Sequence, residues 1–238
     1  MLTRIAHIAD THLDEELPAK IGIKTRTHLK AVLNAIKKEN ISKIICTGDI
    51  GKGNGIAYFF EQLNPFSLSI TLGNHDTFSQ ISKHYTNGIH AKSQKLYSSI
   101  EKDTLKYIFL DSSAGSIDKQ QLHWLQKELI SSKPILIFIH HPVIGLRLKV
   151  DEIGKLKNRD ALLRLLENCN NDITLFCGHY HMESEITHKN IKQYITPAVS
   201  FQIKKLHDKI ELNTTFFGYR IIEIENDTIS SNVRFLTN

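Results

Sequence analysis

Residues 135–142 read ILIFIHHP. Pro134 opens the run, and five apolar residues then stop abruptly at two histidines. By length and content this is a strand buried on both faces, as strands of a helix-covered parallel sheet are. It predicts an α/β fold in which a core strand delivers histidines to a loop.

The same succession recurs along the chain. The strand predicted at Ile5–Ala9 ends in Asp10-Thr11-His12, and the one at Ile44–Thr47 ends in Gly48-Asp49. Ser67–Leu72 leads into Gly73-Asn74-His75-Asp76, and Leu175-Phe176-Cys177 into Gly178-His179-Tyr180-His181. Five strand ends thus each carry a potential metal ligand, three of them beside a glycine. In open α/β sheets the C-terminal strand ends form the rim where ligands sit, so parallel neighbours would bring these clusters together. Singly, each has an ordinary reading. A D-x-H run or a Gly-Asp pair suits a solvated turn, and His140 suits a satisfied core histidine. Their joint occurrence leaves the turn reading little room.

Apolar spacing predicts helices over Thr27–Lys38, Ile56–Leu63, Gln120–Ile130 and Asn158–Leu166. Further strands are expected at Arg4–Ala9, Lys43–Thr47, Tyr107–Leu110 and Thr174–Cys177. Beyond Glu183 the chain becomes β-rich, with segments at Ile191–Thr196, Ala198–Ile203, Gly218–Glu225 and Thr228–Phe235 and a hairpin turn at Glu225-Asn226-Asp227. No linker, repeat or low-complexity tract divides residues 1–238, which predicts one domain of two face-to-face sheets with helices outside.

Composition sets the outer bounds. With 41% hydrophobic and 23% charged residues, the 238-residue chain can bury a sizeable core. No apolar stretch approaches a membrane span, and MLTRIAHIAD lacks a secretory signal, so a soluble, cytoplasmic protein without a membrane partner is expected. Cys46, Cys169 and Cys177 form no CxxC pair and read as reduced, structural thiols. A net charge of +5 would draw in a small anionic substrate. The lysines are spread without a basic arm, which argues against a nucleic-acid partner. An apolar face on the C-terminal strands is compatible with a homodimer.

Asp10, His12, Asp49, Asn74, His140, His179 and His181 make seven candidate ligands of mixed oxygen and nitrogen type. Two cations about 4 Å apart need a bridging ligand and several further donors, and a carboxylate bridges well. With no thiolate, the set suits two divalent or trivalent ions of Mn, Fe, Zn or Co better than Ca.

The ordered motifs D-T-H, G-D, G-N-H-D, H-H-P and G-H-Y-H resemble the calcineurin-like metallophosphoesterases over nearly the whole chain. FLDSSAGSIDKQQLHWLQKEL, HHPV with the following Asp151, YITPAVSFQIK and FGYRIIEIENDTISSNVRF are similar to the cyclic-nucleotide (class III cAMP) phosphodiesterase branch. The resemblance implies a four-layer α/β/β/α sandwich of two mixed sheets flanked by helices, with a dimetal centre at one rim. It implies Asp10, His12 and His181 on the first metal, Asn74, His140 and His179 on the second, and Asp49 bridging. His75 would be the non-ligand histidine that aids the leaving group, and Asp76 would buttress it or its loop. His141 is expected to point towards substrate or solvent. His84 and His90 match no motif and read as surface or packing residues, in a loop that could overhang the site. After Gly-Asp the family often carries further acids in a GDLxDxG-like loop, whereas this chain reads GDIGKGNG.

The expected function is dimetal-dependent hydrolysis of a phosphodiester by a metal-bridging hydroxide. A cyclic nucleotide, 3′,5′-cyclic AMP or a 2′,3′-cyclic nucleotide, is the favoured substrate. The alternatives are a general phosphodiesterase or phosphomonoesterase acting on another nucleotide, a lipid or a phosphoprotein, or a non-catalytic scaffold on the same fold.

Overall fold

In the first strand, β1 (Thr3–Ile8), the pleat sends Ile5 and His7 to one face and Ala6 and Ile8 to the other, and all four are buried. Ile5 joins an apolar layer with Ile45, Phe138, Phe176 and Ile222, whereas Ala6 and Ile8 pack among Leu29, Val32 and Ile36. The strand is therefore covered twice, by a second sheet and by a helix. The computed structural model describes residues 2–225 and 228–237.

The chain continues through α1 (Glu16–Lys20), α2 (Thr25–Lys38), β2 (Lys43–Cys46), α3 (Asn54–Leu63), β3 (Ser67–Ile70) and the one-turn α4 (Phe78–Ile81). A short pair follows, β4 (Ile89–His90) and β5 (Lys95–Leu96), then β6 (Ser98–Glu101), β7 (Lys106–Leu110), α5 (Lys119–Glu128) and β8 (Ile135–Ile139). Next come α6 (Lys149–Gly154), α7 (Arg159–Glu167), β9 (Ile173–Cys177), β10 (Ser184–His188) and β11 (Ile191–Ile195). The small pair β12 (Gln202–Ile203) and β13 (Leu212–Asn213) precedes the long hairpin strands β14 (Phe216–Glu225) and β15 (Thr228–Thr237).

One sheet has the order β15-β14-β1-β2-β3 and the other β10-β11-β9-β8-β7-β6. Both are mixed. β1, β2 and β3 run parallel in the first, and β7, β8, β9 and β11 in the second. Leu136, Phe138, Phe176 and Tyr194 of the second sheet meet Ile5, Ile45 and Ile222 of the first. On the outer faces, α2 and α3 cover the first sheet through Leu29, Val32, Ile36 and Phe59, and α5 and α7 cover the second through Leu125, Leu162 and Leu166. The result is the four-layer α/β/β/α sandwich expected from the motifs. Ile135–Ile139 is buried throughout, as its composition requires.

The segment expected as a strand over Ala198–Ile203 is a correction. Only Gln202 and Ile203 are in a strand. The Val199 and Ser200 amides instead donate to the carbonyls of Ala9 and Asp10, so this stretch lies along the loop after β1. The strand β10 has no apolar alternation to announce it. The helices α1, α4 and α6 have only four to six residues each, too short to carry a helical period. Of the expected turn at Glu225-Asn226-Asp227, Asn226 and Asp227 lie outside the described residues, while Glu225 pairs with Thr228. All three cysteines are free, and Cys46 and Cys177 are buried. Among the described residues no helix is long and apolar enough to cross a membrane.

Candidate metal centre

Because β1, β2 and β3 run parallel, their ends deliver Asp10, Asp49 and Asn74 to one rim, and β8 and β9 deliver His140 and His179 to the same place. His140 Nε2 lies 3.1 Å from Asn74 Oδ1, 3.1 Å from His179 Nδ1 and 3.3 Å from Asp49 Oδ2. A second group forms where His12 Nε2 lies 3.0 Å from His181 Nε2 and His181 Nε2 lies 3.6 Å from Asp10 Oδ1. Asp49 Oδ2 is also 3.6 Å from His12 Nε2, so one carboxylate oxygen faces both groups. All seven residues singled out from the sequence are thus brought together.

These separations test whether ions fit. Donors bound to one cation at about 2.1 Å and roughly right angles stand about 3 Å apart. The outward nitrogens of three rings are already engaged. His140 Nδ1 donates to the Thr47 carbonyl at 2.8 Å, His181 Nδ1 to Phe201 at 2.9 Å, and His179 Nε2 to Gly154 at 2.8 Å. In the neutral rings the inward nitrogens then carry lone pairs, which repel at 3 Å unless a cation or proton lies between them. The donors fit two cations.

Electrostatics point the same way. Burial opposes charge on His140, yet the neighbouring Asp49 and Asp10 outweigh it and push its pKa up to about 9. Burial also opposes the Asp49 charge, but His140 and His12 beside it hold its carboxyl well below the usual range. Burial lifts Asp10 to about 6 and lowers His179 to about 3, leaving His179 neutral and available as a ligand. Without an ion, a proton on His140 takes the cation's place.

The backbone bends sharply to achieve this. Asp10, His12, Asp49, His179 and His181 all have φ between +43° and +72°, a left-handed conformation that Asp, Asn and His tolerate better than most residues. Two glycines make room. A Cβ on Gly73 would lie 2.1 Å from Asp49 Oδ1, and one on Gly178 would lie 2.6 Å from Asp10 Oδ2.

His75 sits beside the centre, 40% exposed, with its backbone amide donating to Asp49 Oδ1 at 2.9 Å. Asp76 makes no hydrogen bond to its ring. Its carboxylate accepts from the Asp49, Ile50 and Gly73 amides at 2.8–2.9 Å and so ties the β2 and β3 loops together. The ring of His75 is met instead by Glu15, which no motif indicated. The DEE run around it resembles ordinary surface acid, yet Glu15 is buried against the His12 and His75 rings. His141 was expected to point towards substrate or solvent, and the solvent half of that reading is corrected. It is buried, its Nδ1 is 2.8 Å from Ser112 Oγ, and burial holds it neutral. His84, still exposed, stacks on Phe60, and the half-buried His90 stacks on Tyr97. The glycines of GDIGKGNG have a structural use: a Cβ on Gly51 would lie 2.3 Å from the Leu13 carbonyl oxygen, against which this loop packs.

Residues 3–183 match the family model described as calcineurin-like phosphoesterase. The chain is 25% identical to a protein of Fibrobacter succinogenes named probable cyclic nucleotide phosphodiesterase, over 98% of this chain and 93% of that one. It is 26% identical to the 3',5'-cyclic adenosine monophosphate phosphodiesterase CpdA of Escherichia coli K12, over 98% and 90% of the two chains. A dimetal phosphatase structure from Danio rerio shares the fold, with a TM-score of 0.70 at 14% identity and coverage of 99% and 98%.

Proposed function

Because the chain belongs to the calcineurin-like phosphoesterase family, we propose that it hydrolyses a phosphodiester at this centre, with a cyclic nucleotide as substrate. The reading is carried by Asp49, whose Oδ2 stands within 3.6 Å of a histidine in each donor group. Asp10, His12 and His181 would hold one ion, Asn74, His140 and His179 the other, and Asp49 both. Such a pair supplies Lewis-acid activation of water and neutralises charge on the phosphate. The side chains do the rest. Carbonyls behind His140, His179 and His181 keep their lone pairs inward, and His75, anchored through its backbone to Asp49, holds a proton at the edge of the centre. The Glu15 carboxylate beside His75 raises its pKa, which favours the protonated ring needed to assist a departing alkoxide. The names carried by the relatives support the cyclic nucleotide.

The test is a panel of 3′,5′-cyclic AMP, 2′,3′-cyclic nucleotides, bis-p-nitrophenyl phosphate and phosphate monoesters, assayed with Mn, Fe, Co and Zn. Turnover of cyclic nucleotides above monoesters, lost on chelation, is expected. Faster turnover of monoesters would overturn the substrate, and inactivity with every metal would overturn the enzyme in favour of a scaffold.

A further inference from the structure

Glu15 poses a problem of burial. Its side chain is only 5% exposed, and among the described residues its Oε1 has no hydrogen-bond partner. A buried carboxylate with an orphan oxygen is costly unless its other oxygen is well used. Oε2 lies 2.8 Å from His75 Nδ1 and 3.2 Å from His12 Nδ1, between two rings that meet nearly at right angles. The loop after Asp49, residues 50–55 (IGKGNG), contains no carboxylate, so Glu15 is the acid that His75 reaches.

We propose that Glu15 is a positioning residue that fixes the orientation and tautomer of His75 and His12 together. His75 donates from Nδ1 to this oxygen and His12 Nδ1 faces it at 3.2 Å, so both present Nε2 away from Glu15. His12 Nε2 then faces His181 and the first donor group, and His75 Nε2 is left for the leaving-group oxygen. One carboxylate thereby aligns a ligand and a proton carrier, and the inference rests on the function proposed above. The trio His12, Glu15 and His75 is also close enough to hold a cation of its own. A neutral imidazole has one lone pair, however, so His12 can serve that trio or the Asp10–His181 group but not both. The position is rigid: the Glu15 amide donates to the His12 carbonyl at 3.3 Å, and His12 and Asp14 both have positive φ.

Two measurements decide the matter. The first is the long-range ¹H–¹⁵N spectrum of the zinc-loaded protein at alkaline pH, with His75 assigned by loss of its signals in H75A. The proton should reside on Nδ1 of His75 in the wild type and shift towards Nε2 in E15A. An identical tautomer in both proteins overturns the proposal. The second compares kcat on cyclic AMP, whose leaving group is a poor one, with kcat on bis-p-nitrophenyl phosphate, whose leaving group is a good one. Assayed with metal saturating, because the contact to the ligand His12 is lost as well, E15A should lose about 30-fold on the first and less than about threefold on the second. E15A/H75A should be no slower than H75A. E15Q, whose amide oxygen can still accept, should recover part of the loss. With metal saturating, equal losses on both substrates or additive losses in the double variant each contradict the assignment. A wild type inactive on both diesters would sink the proposed function instead, and the spectrum would still decide the role of Glu15.

Discussion

His75 differs from its neighbours in what its ring is free to do. The inward nitrogens of His12, His140, His179 and His181 all point into the donor groups, whereas His75 has one nitrogen on Glu15 and the rest of its half-exposed ring at the edge. If it carries the proton for the leaving group, H75A should lower kcat by about 100-fold while two ions per chain remain. Metal analysis beside steady-state kinetics checks both halves, and an H75A protein stripped of metal would contradict the division of labour. The residue types at the centre were legible in the chain because Asp, Asn and His at five strand ends are an unusual convergence. The left-handed backbone at Asp10, His12, Asp49, His179 and His181 was not, because Asp and His tolerate it without demanding it and the packing of the loops against one another imposes it.

At the scale of elements, the loops after β2 and β3 are joined by Asp76. Its removal would leave the buried amides of Asp49, Ile50 and Gly73 without their acceptor. D76A should therefore destabilise the protein by on the order of 3 kcal/mol. Its urea midpoint should fall accordingly, and an unchanged midpoint would show that the loops hold without it. Strands such as Ile135–Ile139 and helices such as α2 were readable because apolar period and burial coincide in them. The stretch 199–201 was not, since its backbone bonds go to Ala9, Asp10 and two histidines rather than to a ladder. Those partners lie far away in sequence. The same holds for the Thr47, Gly154 and Phe201 carbonyls that set the histidine tautomers, because a carbonyl has no side-chain signature.

At the scale of the whole molecule, the centre draws donors from both sheets, so bound ions would fasten the two halves of the sandwich at one rim. Protons compete for the same nitrogens. Since His140 is held at about 9, its ring is protonated at neutral pH in the metal-free protein, and an ion must displace that proton. Affinity for the ion at His140 should rise roughly tenfold per pH unit between about 7 and 9 and then level off. Calorimetric titration in buffers of different ionisation enthalpy would detect the released proton, and pH-independent affinity would show that His140 is not displaced. The central claim, that seven donors from five strand ends hold two ions joined by Asp49, is most directly tested by anomalous diffraction from crystals of the manganese-loaded protein. The account predicts two peaks about 3.5–4 Å apart with the Asp49 carboxylate between them. A single peak, or peaks distant from Asp49, would contradict it.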